Sequence, residues 1–179
     1  MALRKIILKD DETLRKKSRP VTDFGEKTAA FMNDLTETLI DAEGLGLAAP
    51  QVGILRRAVV IVRNEEYVEL INPEIISASD EECGTFEGCL SCPDERGYVM
   101  RPVKVTVKAQ DRNGKWFELE CEEMAARAAC HEIDHLDGTL FLDKTDIIMS
   151  DEELDELLER QAQEEEARQE KEKAKKKKK

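Results

Sequence analysis

Aromatic residues are scarce in this chain. One Trp, two Tyr and five Phe make up 4% of its 179 residues, so a core must be built from Val, Ile, Leu and Ala. One domain is the natural reading of this length. No stretch approaches the roughly 18–20 consecutive apolar residues of a membrane-spanning helix. The opening Met1-Ala2-Leu3-Arg4-Lys5 turns charged too soon for the apolar segment of a secretory signal. These absences predict a cytoplasmic protein with no membrane partner. Cationic excess is missing too. The formal net charge is −12, and residues 1–150 carry 29 acids against 19 bases. Such a body repels phosphate backbones, which argues against DNA as a partner.

The five cysteines, Cys83, Cys89, Cys92, Cys121 and Cys130, are an odd number without a secretory signal. That argues against a disulfide framework and for reduced thiols. Cys89-Leu90-Ser91-Cys92 is formally a C-x-x-C. No second such pair exists to complete a zinc ribbon, and Pro93 spoils the helix that a thioredoxin-like motif would open.

Histidine occurs only twice, and both residues fall in His131-Glu132-Ile133-Asp134-His135. Positions i and i+4 stack on one helix face, about 6 Å apart along the axis. That spacing lets two imidazoles chelate one ion. Glu132 lies about 100° round the helix, where it can reach a metal-bound water. A third donor is needed, and Cys89 in Glu87-Gly88-Cys89-Leu90-Ser91 is the best candidate. One thiolate with two imidazoles suits iron, cobalt or zinc better than magnesium or calcium. Three protein ligands leave a position for water, as a catalytic site requires.

With these motifs in hand, the chain resembles the peptide deformylase family. Gly44-Leu45-Gly46-Leu47-Ala48-Ala49-Pro50-Gln51, Glu87-Gly88-Cys89-Leu90-Ser91 and His131-Glu132-Ile133-Asp134-His135 occur in the family's order, and the similarity covers roughly residues 3 to 147. The resemblance implies a metal-dependent hydrolase that removes the formyl group from N-formylmethionine on newly made polypeptides. It implies one divalent ion on Cys89, His131 and His135, with Fe2+ the first expectation and Zn2+, Ni2+ or Co2+ alternatives. Glu132 would be the acid/base; the Gln51 side-chain amide and the Leu90 backbone N–H would face the oxyanion. Gly44, Leu45, Gly46 and Glu87 are expected to bind substrate, together with Arg96 near its main chain. Arg127 and Ala128, four and three residues before His131, are candidates for the wall of the methionine pocket.

The chain departs from the family pattern at Cys130, where glutamine is usual, and at Cys92, where a small apolar residue is usual. Two other functions share the metal helix. A zinc peptidase would take a third ligand downstream, yet no histidine follows His135. A closed structural zinc site would recruit Cys92, but would need neither Glu132 nor Gln51.

Hydrophobic spacing predicts an α+β fold: antiparallel strands packed around a central metal-binding helix, with a C-terminal helix. A first helix is expected from about Asp23 to Asp41, with an Asp23–Glu26 capping box and a Phe31, Leu35, Leu39 stripe. Residues 57–62 and 68–71 read as strands, and residues 103–107 and 116–121 as a hairpin turned by Asp111-Arg112-Asn113-Gly114. The metal helix should run from about Glu122 to a left-handed cap at Gly138. Residues 1–149 form the expected catalytic domain, and residues 150–179 a charged helix ending in a lysine-rich, disordered tail. Ser150 and Glu153 have capping-box spacing, Leu154, Leu157 and Leu158 give one apolar patch, and fraying is expected past residue 165. Lys171 to Lys179 holds seven lysines and one glutamate, a possible contact for the ribosome.

Overall fold

The computed structural model describes residues 2–176, and side chains as far as residue 169. Eight strands form two antiparallel sheets. One sheet has the order β1 (Gly46–Ala48), β2 (Ala58–Arg63), β3 (Glu66–Ala78), β6 (Lys104–Gln110) and β7 (Trp116–Glu122). The other joins β4 (Glu82–Cys89), β5 (Cys92–Pro102) and the short β8 (Ile148–Met149). Three helices, α1 (Glu26–Asp41), α2 (Glu123–Leu136) and α3 (Asp151–Lys176), complete the α+β fold.

Strand β2 explains how the layers are stacked. Its run Ala58-Val59-Val60-Ile61 is apolar without alternation and buried throughout, as a strand covered on both faces should be. Val59 and Ile61 face a cluster with Ala126, Ala129, Cys130, Ile133 and Leu136 of α2. Ala58 and Val60 face Met32, Leu35 and Leu39 of α1. Successive side chains of a strand point to opposite faces, so one strand carries both helices. The alanines of α2 let its backbone approach the sheet closely, which makes α2 the central helix. Cys130 belongs to this sheet-facing side and serves packing.

The hairpin around Asp111–Gly114 forms as expected. Asp111 Oδ1 accepts from the N–H groups of Asn113 and Lys115, both at 2.9 Å, and Gly114 has φ +81°. Gly138 adopts the expected left-handed cap with φ +77°. An added Cβ there would also lie 2.5 Å from the Arg15 carbonyl oxygen, so close packing excludes a side chain as well.

Helix α1 begins later than its spacing suggests. Its N-cap is Gly25, and the Asp23–Glu26 capping box does not form. Asp23 Oδ1 instead accepts from the Gly25 N–H at 2.9 Å, turning the chain before the helix starts. The buried stripe uses Met32 in place of Phe31, whose ring stays half-buried under the Arg4 guanidinium. The Ser150–Glu153 capping box does form: the Ser150 N–H donates to Glu153 (2.8 Å) and the Glu153 N–H to Ser150 Oγ (3.1 Å). Helix α3 then runs to Lys176, past residue 165, although its apolar stripe has ended. Pairs such as Glu156–Arg160 have the spacing that supports a helix with little packing. The side chains of the lysine run lie outside the described residues.

Asn72 ties the layers together at an unusual backbone position, φ +51°. Its Oδ1 accepts from the Val21 N–H (2.8 Å), and its Nδ2 donates to the Val21 carbonyl (2.8 Å) and to Gln110 Oε1 (2.7 Å). Three bonds at about 1 kcal/mol each, together with the poor fit of alanine to a left-handed backbone, give Asn72→Ala an expected cost of about 3 kcal/mol. Urea unfolding of the two proteins checks this.

Candidate metal centre and groove

Three distant segments converge on one place. Helix α2 supplies His131, Glu132 and His135, the end of β4 supplies Cys89, and the turn after β1 supplies Gln51. The Cys89 thiol and one ring nitrogen from each histidine lie within 4.8 Å of one another. Cys89 Sγ is 3.3 Å from His135 Nε2. A tetrahedral ion at about 2.3 Å from sulfur and about 2.0–2.1 Å from nitrogen holds those donors about 3.5 Å apart. The donor set therefore fits one transition ion. Cys92 stands outside this group, so the closed four-ligand site is not formed.

Both histidines are held in place, each by different surroundings. His131 Nδ1 lies 3.0 Å from Glu87 Oε2. An ionised carboxylate only accepts, so Nδ1 donates and Nε2 is the nitrogen left to face an ion. Burial opposes protonation of the ring, but the Glu87 hydrogen bond and the charges of Glu132 and Glu87 raise the His131 pKa, so an ion must displace the Nε2 proton. Glu87 is ionised for a definite reason. Burial alone would raise its pKa, but hydrogen bonds from His131 and Arg101 and the charge of Arg101 outweigh burial and hold it at about 2. Burial lowers the His135 pKa well below its usual value, with His131 adding to the effect, so His135 is neutral.

Glu87, expected to bind substrate, lines the groove, and its carboxylate is also engaged by protein groups. Arg101 grips both its oxygens, at 2.9 and 3.0 Å, and Arg127 Nη1 reaches Oε1 at 2.6 Å. With His131 on Oε2, the carboxylate is fully engaged inside the protein. Arg127 also spends its guanidinium on the carbonyls of Val99 (3.0 Å) and Cys83 (2.6 Å), so only its aliphatic stem is left to line a pocket. Sequence reasoning missed Arg101 and Asp134, which pair at 2.6 Å. Gly97, Val99 and Arg101 are all inward on β5, and that period of two was the signal available.

Gln51 is 1% exposed. Its Oε1 accepts from the Ala48 N–H (2.8 Å), which fixes the amide with Nε2 toward Cys89 Sγ (3.4 Å) and Ser91 Oγ (3.3 Å). Glu132 is buried, and its Oε2 has no hydrogen-bond partner among the described residues. Burial raises its pKa to about 7. Gly46 makes room for it: an added Cβ would lie 2.5 Å from Glu132 Oε1.

A groove of about 570 Å³ opens onto this centre. Gly44, Leu45, Gly46, Leu90, Arg96, Arg127 and Ala128 all line it, as do Phe86 and Met124, which the sequence alone did not single out. Arg96 crosses the groove wall over Gly88 and pairs with Asp151 at the start of α3 (3.0 Å). Strand β1 is an edge of its sheet, so its outer backbone groups can accept another strand.

Comparison with known proteins decides what this arrangement belongs to. The sequence pattern of the polypeptide deformylases matches residues 3–151. The chain is 53% identical over 156 residues to a peptide deformylase of Caldicellulosiruptor bescii, covering 87% of this chain and 93% of that protein.

The chain belongs to the polypeptide deformylase family.

A second relative, a peptide deformylase of Thermoanaerobacter pseudethanolicus, is 48% identical over 89% of this chain and 99% of its own. The crystal structure of peptide deformylase from Thermotoga maritima superposes with a TM-score of 0.79 at 38% identity, covering 82% of this chain and all of that one. Deformylases are metalloenzymes, hydrolases that remove N-formyl groups from nascent polypeptides. No helix among the described residues is long and apolar enough to cross a membrane.

The depressed Glu87 value has a consequence for acid stability. A carboxyl whose folded pKa lies below its unfolded one stabilises the protein above the unfolded value and loses that contribution as pH falls. The gap from the ordinary 4.5 to about 2 corresponds to about 3 kcal/mol. Between pH 5 and pH 2, metal-free wild-type protein should lose up to about 3 kcal/mol more than Glu87→Gln does. Denaturant titrations of both proteins across that range measure it.

Proposed function

We propose that Cys89, His131 and His135 hold one divalent ion, and that the chain uses it to hydrolyse the formyl amide of N-formylmethionine on new polypeptides. The observation carrying this reading is the convergence of three donors, the Glu132 carboxylate and the Gln51 amide at one end of a groove. Fe2+ is the ion proposed, and the same donors suit Zn2+, Ni2+ or Co2+. When bound, such an ion supplies a water of lowered pKa and polarises a carbonyl oxygen.

The chain's own residues do the rest. Glu132 takes the proton of the attacking water and returns it to the amine as the C–N bond breaks and formate leaves. A carboxyl near pH 7 can both accept and return a proton there, and burial brings Glu132 to about 7. The Gln51 amide and the Leu90 N–H donate to the oxyanion formed from the formyl oxygen. Gln51 needs no rearrangement, since Ala48 already holds its carbonyl end.

The substrate enters main chain first. Leu45 and Gly46 precede or open the β1 edge, and an extended peptide adds there as a further strand. The methionine side chain rests against Ala128 and the stem of Arg127. Arg96 reaches the peptide main chain once it leaves Asp151. We read residues 1–149 as the catalytic unit, acting in the cytoplasm, and residues 150–179 as an appendage.

Formyl-Met peptide hydrolysis and metal content, measured on one oxygen-free preparation, test the assignment. Cys89→Ala should lose most metal and activity together. Glu132→Ala should keep the metal and lose about 10²–10⁴-fold in turnover, and Gln51→Leu about 10²–10³-fold. Metal retained at full stoichiometry in Cys89→Ala, or normal turnover in Glu132→Ala, would overturn it.

The appendage suggests where the enzyme meets its substrate. New polypeptides emerge from a particle whose surface is largely RNA phosphate, which an acidic body avoids. Lys171 to Lys179 adds a net charge of +6, a cationic tether for the ribosome. Truncation after Glu170 should leave short-peptide hydrolysis unchanged and weaken ribosome co-sedimentation, and the full-length signal should fall steeply with salt. Equal co-sedimentation of both forms at low salt would reduce the lysines to a solubilising end.

A further inference from the structure

Cys92 takes no part in the chemistry above, although it stands three residues from Cys89. The two face each other in register across the end of the β4–β5 hairpin, with only Leu90 and Ser91 between them. Facing residues of antiparallel strands have Cα atoms about 4.5–5.5 Å apart, inside the roughly 4.4–6.8 Å that a disulfide spans.

Their access differs. Cys89 is half-buried and lines the groove, where a small solute reaches it. Cys92 is 0% exposed, packed with Leu14, Val99, Leu140 and Phe141 behind that wall. Cys121 and Cys130 lie in a different core cluster, between α2 and the five-stranded sheet. An oxidant entering the groove therefore meets Cys89 first, with Cys92 as the thiol beside it.

We propose that Cys89 and Cys92 form a reversible oxidation site, in which a peroxide oxidises Cys89 and Cys92 closes a disulfide onto it. In the first step the Cys89 sulfur attacks one peroxide oxygen. The O–O bond breaks, Cys89 becomes a sulfenic acid and water leaves. In the second step the Cys92 sulfur attacks the Cys89 sulfur. The S–S bond forms, the S–O bond breaks, and the departing hydroxide takes the Cys92 proton as water. Two thiols and one hydrogen peroxide thus give one disulfide and two waters. A sulfenic acid without a neighbouring thiol reacts with a second peroxide to give sulfinic acid and water, a product that thiols do not reverse. Cys92 intercepts it at the stage that can be undone.

The effect on the metal rests on the ligand assignment proposed above. A sulfur locked in a disulfide is no longer a thiolate donor, so oxidation releases the ion and reduction restores the site. Metal already bound slows the attack without preventing it, because coordination draws charge from the sulfur.

Peptide mass tests the site independently of activity. Cleavage after glutamate releases residues 88–95, which contain Cys89 and Cys92 and no other cysteine. Full-length protein, purified without oxygen, is treated with several equivalents of hydrogen peroxide, alkylated and digested, with metal release followed on the same sample. In wild-type protein this peptide should lose two hydrogens, escape alkylation and regain both thiols with dithiothreitol. In Cys92→Ala and Cys92→Val it should gain two oxygens on Cys89, and dithiothreitol should not reverse the gain. Wild-type protein that passes to the sulfinic acid as fast as these variants, or that joins Cys89 to Cys83, would overturn the proposal. A disulfide that forms while the ion stays bound would support the thiol pair and overturn Cys89 as a ligand.

Discussion

The Glu87 carboxylate sits in the interior with a side-chain exposure of 3%, ringed by Arg101, Arg127 and His131. A buried charge of this kind is tolerable only when its partners compensate it closely, and removing one partner leaves the others uncompensated. The ring therefore fixes several things at once. It anchors β4 to β5 through Arg101, and β4 to α2 through Arg127 and His131. It sets the His131 tautomer, which decides which nitrogen faces Cys89. Arg101 extends the ring to Asp134, two residues from Glu132 on the metal helix, and Lys144 closes on Asp134 from the other side at 3.2 Å. Orientation of the metal donors and adhesion between the two sheets thus depend on the same few atoms.

The site residues were legible in the sequence to the extent that local geometry defines them. Two histidines at i and i+4 with a glutamate between them must share a helical surface, and the helix delivers them as read. Cys89 and Gln51 could not be joined to that helix by periodicity; ordered motifs and family resemblance brought them in. Glu87 was singled out as a substrate-binding residue; the structure adds its bond to His131, and the residue also lines the groove. A carboxylate beside a metal motif looks the same in sequence whether it faces a substrate or an imidazole, and only the burial of Arg101 distinguishes the two.

The fold was legible where patterning was clean. The two-sided run of β2, the alternation of β6 and the Asp-Arg-Asn-Gly turn all fold as their chemistry suggests. The β4–β5 hairpin was not, because β4 buries only Glu87 fully among its eight residues and so shows no apolar alternation. Its cohesion comes from charge pairing and from the backbone ladder, neither of which leaves a hydrophobic period. The start of α1 was misplaced because an aspartate before a helix can either cap it or turn the chain ahead of it, and Gly25 lets the turn win. The length of α3 beyond its apolar patch reflects side-chain pairs along one strand of sequence, a weak signal beside the loss of hydrophobic spacing.

The three metal donors do not belong to one layer. His131 and His135 ride on α2, which is packed against the five-stranded sheet, whereas Cys89 ends a strand of the other sheet. An ion held by all three is a cross-link between two independently cored halves, made after each has packed its own side chains. Whatever binds the folded state alone stabilises it by mass action, so an ion at this candidate site would act on folding as well as on chemistry. The groove is lined from both sides of that junction, by Gly44, Leu45 and Gly46 on one side and Cys89 and Leu90 on the other.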